Sequence, residues 1–204
     1  LAILLKGIEI EHIRIDFKDY TNNFPTQWEE FTKDKKVKGA FHGIENSNLL
    51  STIFAKGETA KEEIASAFKQ GIDKKDNLQF HFKIGSNYFL ELAKLKAFRI
   101  LWESKTGTTP YIFASTTLTN KEEEYAYNNI LRSTTECMSA IFGGANAIMI
   151  NSYNHSFEMP TEFSERIARN QQTILRKESY LDKVIDPSKG SYYVDYLIDK
   201  LLKD

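Results

Sequence analysis

Cysteine is nearly missing from this chain: Cys137 is the single thiol in 204 residues. One thiol excludes an internal disulfide and any cysteine-based metal cluster, so no metal site is expected. It fits a reducing compartment, bacterial cytoplasm or mitochondrial matrix, with cytoplasm favoured. Long apolar runs and signal-peptide patterns are also lacking, so no membrane role is expected. Charge of one sign is lacking too. The 27 basic and 28 acidic residues leave a net charge of −1, which argues against nucleic acid as a partner. No low-complexity linker, internal repeat or clear domain boundary is visible. Position 1 is not methionine, and the chain opens on LAILLKGIEIEHIRIDF, which reads as a piece of a longer protein.

What is present is an alternation of short β-type runs with longer helical patterns, which predicts an α/β fold with a parallel sheet. Strands are expected over 13–17, 37–41, 49–54, 78–84, 111–116, 147–151 and 183–185. Helices are expected over 26–32, 59–70, 86–104, 121–142, 162–178 and 192–202. Ser86 or Asn87 suits an N-cap, and Phe89, Leu92, Ala93, Leu95, Ile100 and Leu101 suit a buried stripe. Gly143 and Gly144 stop a helix at Phe142, Asp186-Pro187 marks a turn, and Gly190 gives the backbone freedom before SYYV. One place breaks the pattern. Segments 37–41 and 49–54 both read as strands, yet a parallel crossover needs about a dozen residues or more. Either the two are not both strands or a helix is missing between them.

Strand side chains alternate between faces. In LQFHFKI, Leu78, Phe80, Phe82 and Ile84 share one face, and Gln79, His81 and Lys83 share the other. In HIRIDF, Ile13, Ile15 and Phe17 oppose His12, Arg14 and Asp16. Apolar faces packed on helices would leave a polar inner face; the other reading is strands that face solvent at an open edge. Cys137 lies one residue from a stripe of Ile130, Thr134, Met138, Ile141 and Phe142, and reads as a buried, inert thiol. KEEE at 121–124 reads as an acidic first helical turn. His42 and His155 read as rim residues, and Arg166, Arg169 and Asn170 as packing and ion-pairing positions.

Four blocks in order resemble the barrel of the cobalamin-dependent acyl-CoA mutases, the methylmalonyl-CoA mutase family. NYFLELAKLKAFRILW is similar to FFxEIAKLRAxRxLW. YNNILRSTTECMSAIFGGANAIMIN is similar to YNNxxRTxxEAxAAxxGGTQSLHTN. PTEFSERIARNQQ is similar to PTEFSARIARNTQ, and VIDPSKGSYYV to VxDPxGGSYYV. The match runs from about Thr59 to Leu202. It implies a (β/α)8 barrel, present here as an incomplete portion because a whole one takes ~250 residues. The whole chain, 1–204, would be barrel, without the separate cobalamin domain.

The resemblance also implies an activity: exchange of methylmalonyl-CoA and succinyl-CoA, with coenzyme A threaded through the barrel and adenosylcobalamin supplying the radical chemistry. The family's site residues are replaced here. A histidine in GYHxxEAGA, which acts on the thioester carbonyl, aligns with Thr52 in LLSTIFAKGE, so no catalytic residue is assigned. The Arg and Ser of PRLSFFWGIG, which hold the acyl-CoA, align with Asn77 and Gln79. HCQTSG becomes YIFAST. Gly143, Gly144, Asn146 and His155 fall at cofactor-facing positions; Asn146 replaces a Gln, and His155 a Glu. Gln79, His81, Lys83, Tyr111 and Phe113 are bulky enough to fill the lumen. These changes imply the small, non-catalytic subunit of a heterodimer whose large subunit is catalytic, with no cofactor bound by this chain. The alternative is a divergent mutase that still binds acyl-CoA and adenosylcobalamin, using His81 or His155 as donor. An unrelated (β/α) binding domain is the third reading.

Overall fold

The computed structural model describes residues 12–14, 38–41, 50–74 and 77–203, the first two segments as strand backbone only. Six parallel strands stand in chain order in one sheet: β1 (His12–Arg14), β2 (Lys38–Phe41), β3 (Leu50–Phe54), β4 (Leu78–Ile84), β5 (Tyr111–Thr116) and β6 (Ala147–Met149). The described helices are α1 (Ala60–Ile72), α2 (Tyr88–Thr106), α3 (Asn128–Phe142), α4 (Glu162–Lys177) and α5 (Tyr192–Lys203). The strand order never reverses, so the sheet lacks the switch point of a doubly wound fold. The parallel α/β expectation therefore holds. Among the described residues β1 and β6 are the sheet edges, and a closed barrel is not seen.

Both segments of the awkward pair are strands. β2 pairs in parallel with β3, Ala40 opposite Leu50 and Phe41 opposite Ser51. Their connection, 42–49, lies outside the described residues, as do His42, the expected helix over 26–32 and the second half of the strand expected over 13–17.

Local chemistry sets the ends of the elements. Thr59 caps α1 in a reciprocal box: its hydroxyl accepts from the Glu62 N–H, and the Glu62 carboxylate accepts from the Thr59 N–H. Asn87, not Ser86, caps α2, its side chain accepting from the Leu90 N–H. Gly107 ends α2 in the left-handed region at φ 70°.

Three expectations are corrected. The helix predicted over 121–142 begins only at Asn128, so KEEE is not its first turn. The Asn129 side chain bonds both the N–H and the carbonyl of Glu122, holding that segment as a turn ahead of the helix. The run 183–185 is not a strand. Val184 and Ile185 are exposed, and the Lys183 N–H closes a turn onto the Tyr180 carbonyl. β6 stops at Met149 rather than 151, because Asn151 bonds the Thr116 side chain and carbonyl.

Ile53, Phe80, Phe82, Ile84, Ile112 and Ala114 share one core with residues of α1, α2, α3 and α5, so these helices cover a single face of the sheet. Phe80 lies 4.6 Å from the Trp102 ring and 4.7 Å from that of Phe98. Burying each such ring contributes ~1.5–3 kcal/mol. Gly71 lets α1 settle on them: a Cβ there would lie 2.7 Å from Phe80 and 2.9 Å from Trp102. The α2 stripe holds at Leu92, Ala93 and Leu95, but Phe89 and Ile100 are half-exposed and Lys94 is buried in their stead. α3 also departs from its expected stripe: Asn129, Ser133, Glu136, Cys137, Ser139 and Ala140 form its buried face. No described helix is long and apolar enough to cross a membrane.

Candidate functional site

The sheet face away from the helices carries three of the substituted positions, Thr52, Gln79 and Phe113. Register sorts its side chains into three rows, since direct cross-strand partners share a face. The first is Thr52, Gln79 and Tyr111; the second Phe54, His81, Phe113 and Ala147; the third Lys83, Ser115 and Met149. The alternation read from LQFHFKI is thus correct, with its apolar half in the core. Gln79, His81, Phe113 and Ser115 are nonetheless all buried.

In the first row, the Gln79 amide donates to the Thr52 hydroxyl at 3.4 Å. The residue at the family's histidine position and the residue at its serine position are therefore neighbours. In the second row, His81 Nε2 lies 2.7 Å from Ser115 Oγ. The His81 ring sits between aromatic neighbours, with centroids 5.1 Å from Phe54 and 4.8 Å from Phe113. Burial pushes the Tyr111 phenol up to about 12. Asn77 precedes β4 at φ 61°, a left-handed conformation that asparagine tolerates, and its carbonyl accepts from the Ser51 N–H at 2.7 Å.

The four positions expected to face a cofactor are not brought together. Gly143, Gly144 and Asn146 precede β6, and His155 follows it, so they belong to opposite ends of that strand. A Cβ at Gly143 would lie 3.0 Å from the Leu95 side chain and 3.2 Å from the Leu92 carbonyl, so this glycine lets α3 end against α2. Gly144 takes φ 81°. The Asn146 side-chain oxygen accepts from the Ile112 N–H at 2.8 Å and from Arg99. Exposed His155 lines a cavity of about 290 Å³ with Asn151, Ser152, Glu165 and Arg169. These four positions do not present one shared surface to a cobalamin. Among the described residues no cluster of His, Cys, Asp and Glu could hold a metal.

The retained motif residues hold one another. Arg99, in the α2 block, donates to the Gly144 carbonyl at 2.7 Å and reaches the Pro110 carbonyl at 3.4 Å. Lys96, in the same block, pairs with Asp186 at 2.6 Å and bonds Ser188, fixing the DPSKG turn. Burial alone would raise the Asp186 pKa, but hydrogen bonds from Lys96 and Ser188 outweigh it and hold the carboxyl below its usual value. Gln171, in the PTEFSERIARNQQ block, donates to the Ile130 carbonyl, Ser133 and Thr134 of the YNNILRST block. Among the described residues Arg169 pairs only with Glu165, at 3.9 Å on the exposed face of α4.

Several buried charges were not foreseen. Lys94 pairs with Glu63 at 2.6 Å and also with Glu91. Desolvation is the main reason the Glu63 pKa stands above normal. Lys121 pairs with Glu136 at 2.7 Å, and Asn120 donates to the same carboxylate. Burial raises the Glu136 pKa and lowers that of Lys121. The one available sign was a lysine at a helical position between Ala93 and Leu95, inside an apolar stripe.

The Methylmalonyl-CoA mutase family model matches residues 52–204. The methylmalonyl-CoA mutase small subunit of Porphyromonas gingivalis is 42% identical over 150 residues, covering 69% of this chain and 23% of the relative. The methylmalonyl-CoA mutase of Rhizobium meliloti is 39% identical over 153 residues, covering 69% of this chain and 22% of the relative. A probable methylmalonyl-CoA mutase large subunit of Mycobacterium bovis is 32% identical over 170 residues, covering 72% and 23%. The chain thus spans about a quarter of the length of these relatives.

Proposed function

This chain belongs to the methylmalonyl-CoA mutase family, and we propose that it is part of the non-catalytic small subunit, which supports a catalytic large subunit in a heterodimer. One observation carries the reading. The blocks shared with the family bind one another through Arg99, Lys96 and Gln171, whereas the aligned site positions hold Thr52, Asn77 and Gln79. A chain under selection for shape alone keeps fold fasteners and loses reacting groups. The singly wound parallel order supports a (β/α)8 barrel as the complete fold. Neither acyl-CoA nor adenosylcobalamin is bound by this chain in the proposal. The unpaired buried thiol supports a cytoplasmic setting.

The test is mutase activity of the full-length protein with adenosylcobalamin and methylmalonyl-CoA. No turnover alone, together with stable association and turnover when the large subunit is added, is the expected result. Succinyl-CoA formation by the purified chain by itself would overturn the reading. His81 would then be the first donor to test, because it lies on the same face as Thr52.

A further inference from the structure

We infer that the outer face of α5, extended by Phe89 of α2, is where the large subunit docks, through its own helix of the same block. The inference rests on the subunit reading, which supplies the partner. It goes beyond that reading by naming the surface.

The two faces of α5 differ in kind. Val194, Leu197, Ile198 and Leu201 turn to the core. Tyr192, Tyr196, Asp199 and Lys203 follow at helical spacing, so they form a single stripe on the opposite side. All four are exposed, Tyr192 at 93% and Tyr196 at 60%. Tyr193 widens this surface: its ring meets that of half-exposed Phe89 edge-on, with centroids 5.6 Å apart. Phe89, Tyr192 and Tyr193 all stand at positions of the shared blocks FFxEIAKLRAxRxLW and VxDPxGGSYYV. Arg99, Lys96 and Gln171 in those blocks bind other parts of the chain, whereas these three rings face outward. Packing among the described residues therefore gives them little to do.

Tyrosine suits a face that meets water before it meets a partner. Its hydroxyl stays hydrated while the face is bare, and its ring supplies a broad, stiff contact once covered. A face sealed by the chain itself would be aliphatic, as the inner stripe of α5 is. The Asp199–Lys203 pair, 2.8 Å apart and mostly exposed, gives the stripe a polar end with both signs of charge. Two related chains pair most simply through the same patch on each, across a two-fold axis. The block that begins α5 belongs to the family motif, and small- and large-subunit relatives both align with this chain. An antiparallel pairing of two such helices sets the tyrosines of each first turn against the charged last turn of the other.

The experiment measures association of the full-length protein with the large subunit by sedimentation, wild type against Tyr192→Ser/Tyr196→Ser. The melting temperature of each small subunit alone is recorded beside it. The double variant should bind ~10-fold or more weakly while melting at the wild-type temperature. Undiminished association overturns the inference. So does weaker association together with a lower melting temperature of the isolated subunit, because the face is then covered within the small subunit itself. An isolated wild type that sediments as a dimer, dissolved by the double substitution, assigns the face to a second copy and also overturns it. Failure of the subunit reading looks different: the wild type itself would not associate with a large subunit.

Discussion

Lys121 and Glu136 form an ion pair with 0% and 1% of their side chains exposed. The pair joins the loop after β5 to the buried face of α3, and through Asn120 reaches Ser86 after β4. Burial disfavours both charges, as the shifts of the two groups toward neutrality show. Removing one partner leaves the other charge buried alone. Glu136→Ala should therefore lower stability by ~3–5 kcal/mol, whereas Lys121→Met/Glu136→Leu should be neutral or stabilising by ~1–4 kcal/mol. Urea unfolding of the three proteins decides; a double variant as weak as the single one would refute the desolvation argument.

Arg99 satisfies two backbone carbonyls and the Asn146 side chain from one guanidinium. Arg99→Ala should cost ~0.5–1.5 kcal/mol by removing these bonds, since the Asn146 oxygen keeps the Ile112 N–H and the other acceptors can reach water. Arg99→Lys should recover only part, since an ammonium lacks the planar fork. Thermal unfolding gives the ranking, and a fully stable alanine variant would show that the clamp is idle.

Burial pushes the Cys137 thiol up to about 12. Its folded pKa lies above its unfolded value of 9.0, so its contribution is intact below pH 9 and is lost as pH rises toward 12. At pH 8 the native protein should react with a thiol reagent only as fast as it opens, and urea should speed the reaction. Rapid native labelling would contradict the assignment.

Asp186 titrates in the opposite sense. Its folded pKa lies below 3.8, so its contribution is present above pH 3.8 and is lost as pH falls through the folded value. The side chain is over a third exposed, so solvent screening keeps the effect small. Asp186→Asn should flatten the acid limb of the stability profile below pH 3.8. An unchanged limb in acid-unfolding curves would mean that the Lys96 contact contributes nothing.

The order of elements was readable because strand alternation and helix caps are local. LQFHFKI announces its two faces, and Thr59 and Asn87 announce helix starts. What escaped depends on distant partners. KEEE has a helical composition, but Asn129 claims the Glu122 backbone and Glu136 claims Lys121. The buried polar face of α3 was hidden because Asn129 and Glu136 find partners distant in sequence, the Tyr153 carbonyl and the Asn120 side chain, while Ser133 bonds its own helix and accepts from Gln171. Substituted site positions were found by alignment to motifs. That a strand separates Gly143 from His155 was already legible in the run 147–151; its shortness, three residues, needed the structure.

The unbroken chain order of the sheet has a consequence for synthesis. Each new strand joins an edge already exposed on the ribosome, and none has to be threaded between strands laid down before it. Helix cover is different in kind. α5 packs on α2, placed about a hundred residues earlier, so α2 stays partly uncovered until α5 has emerged.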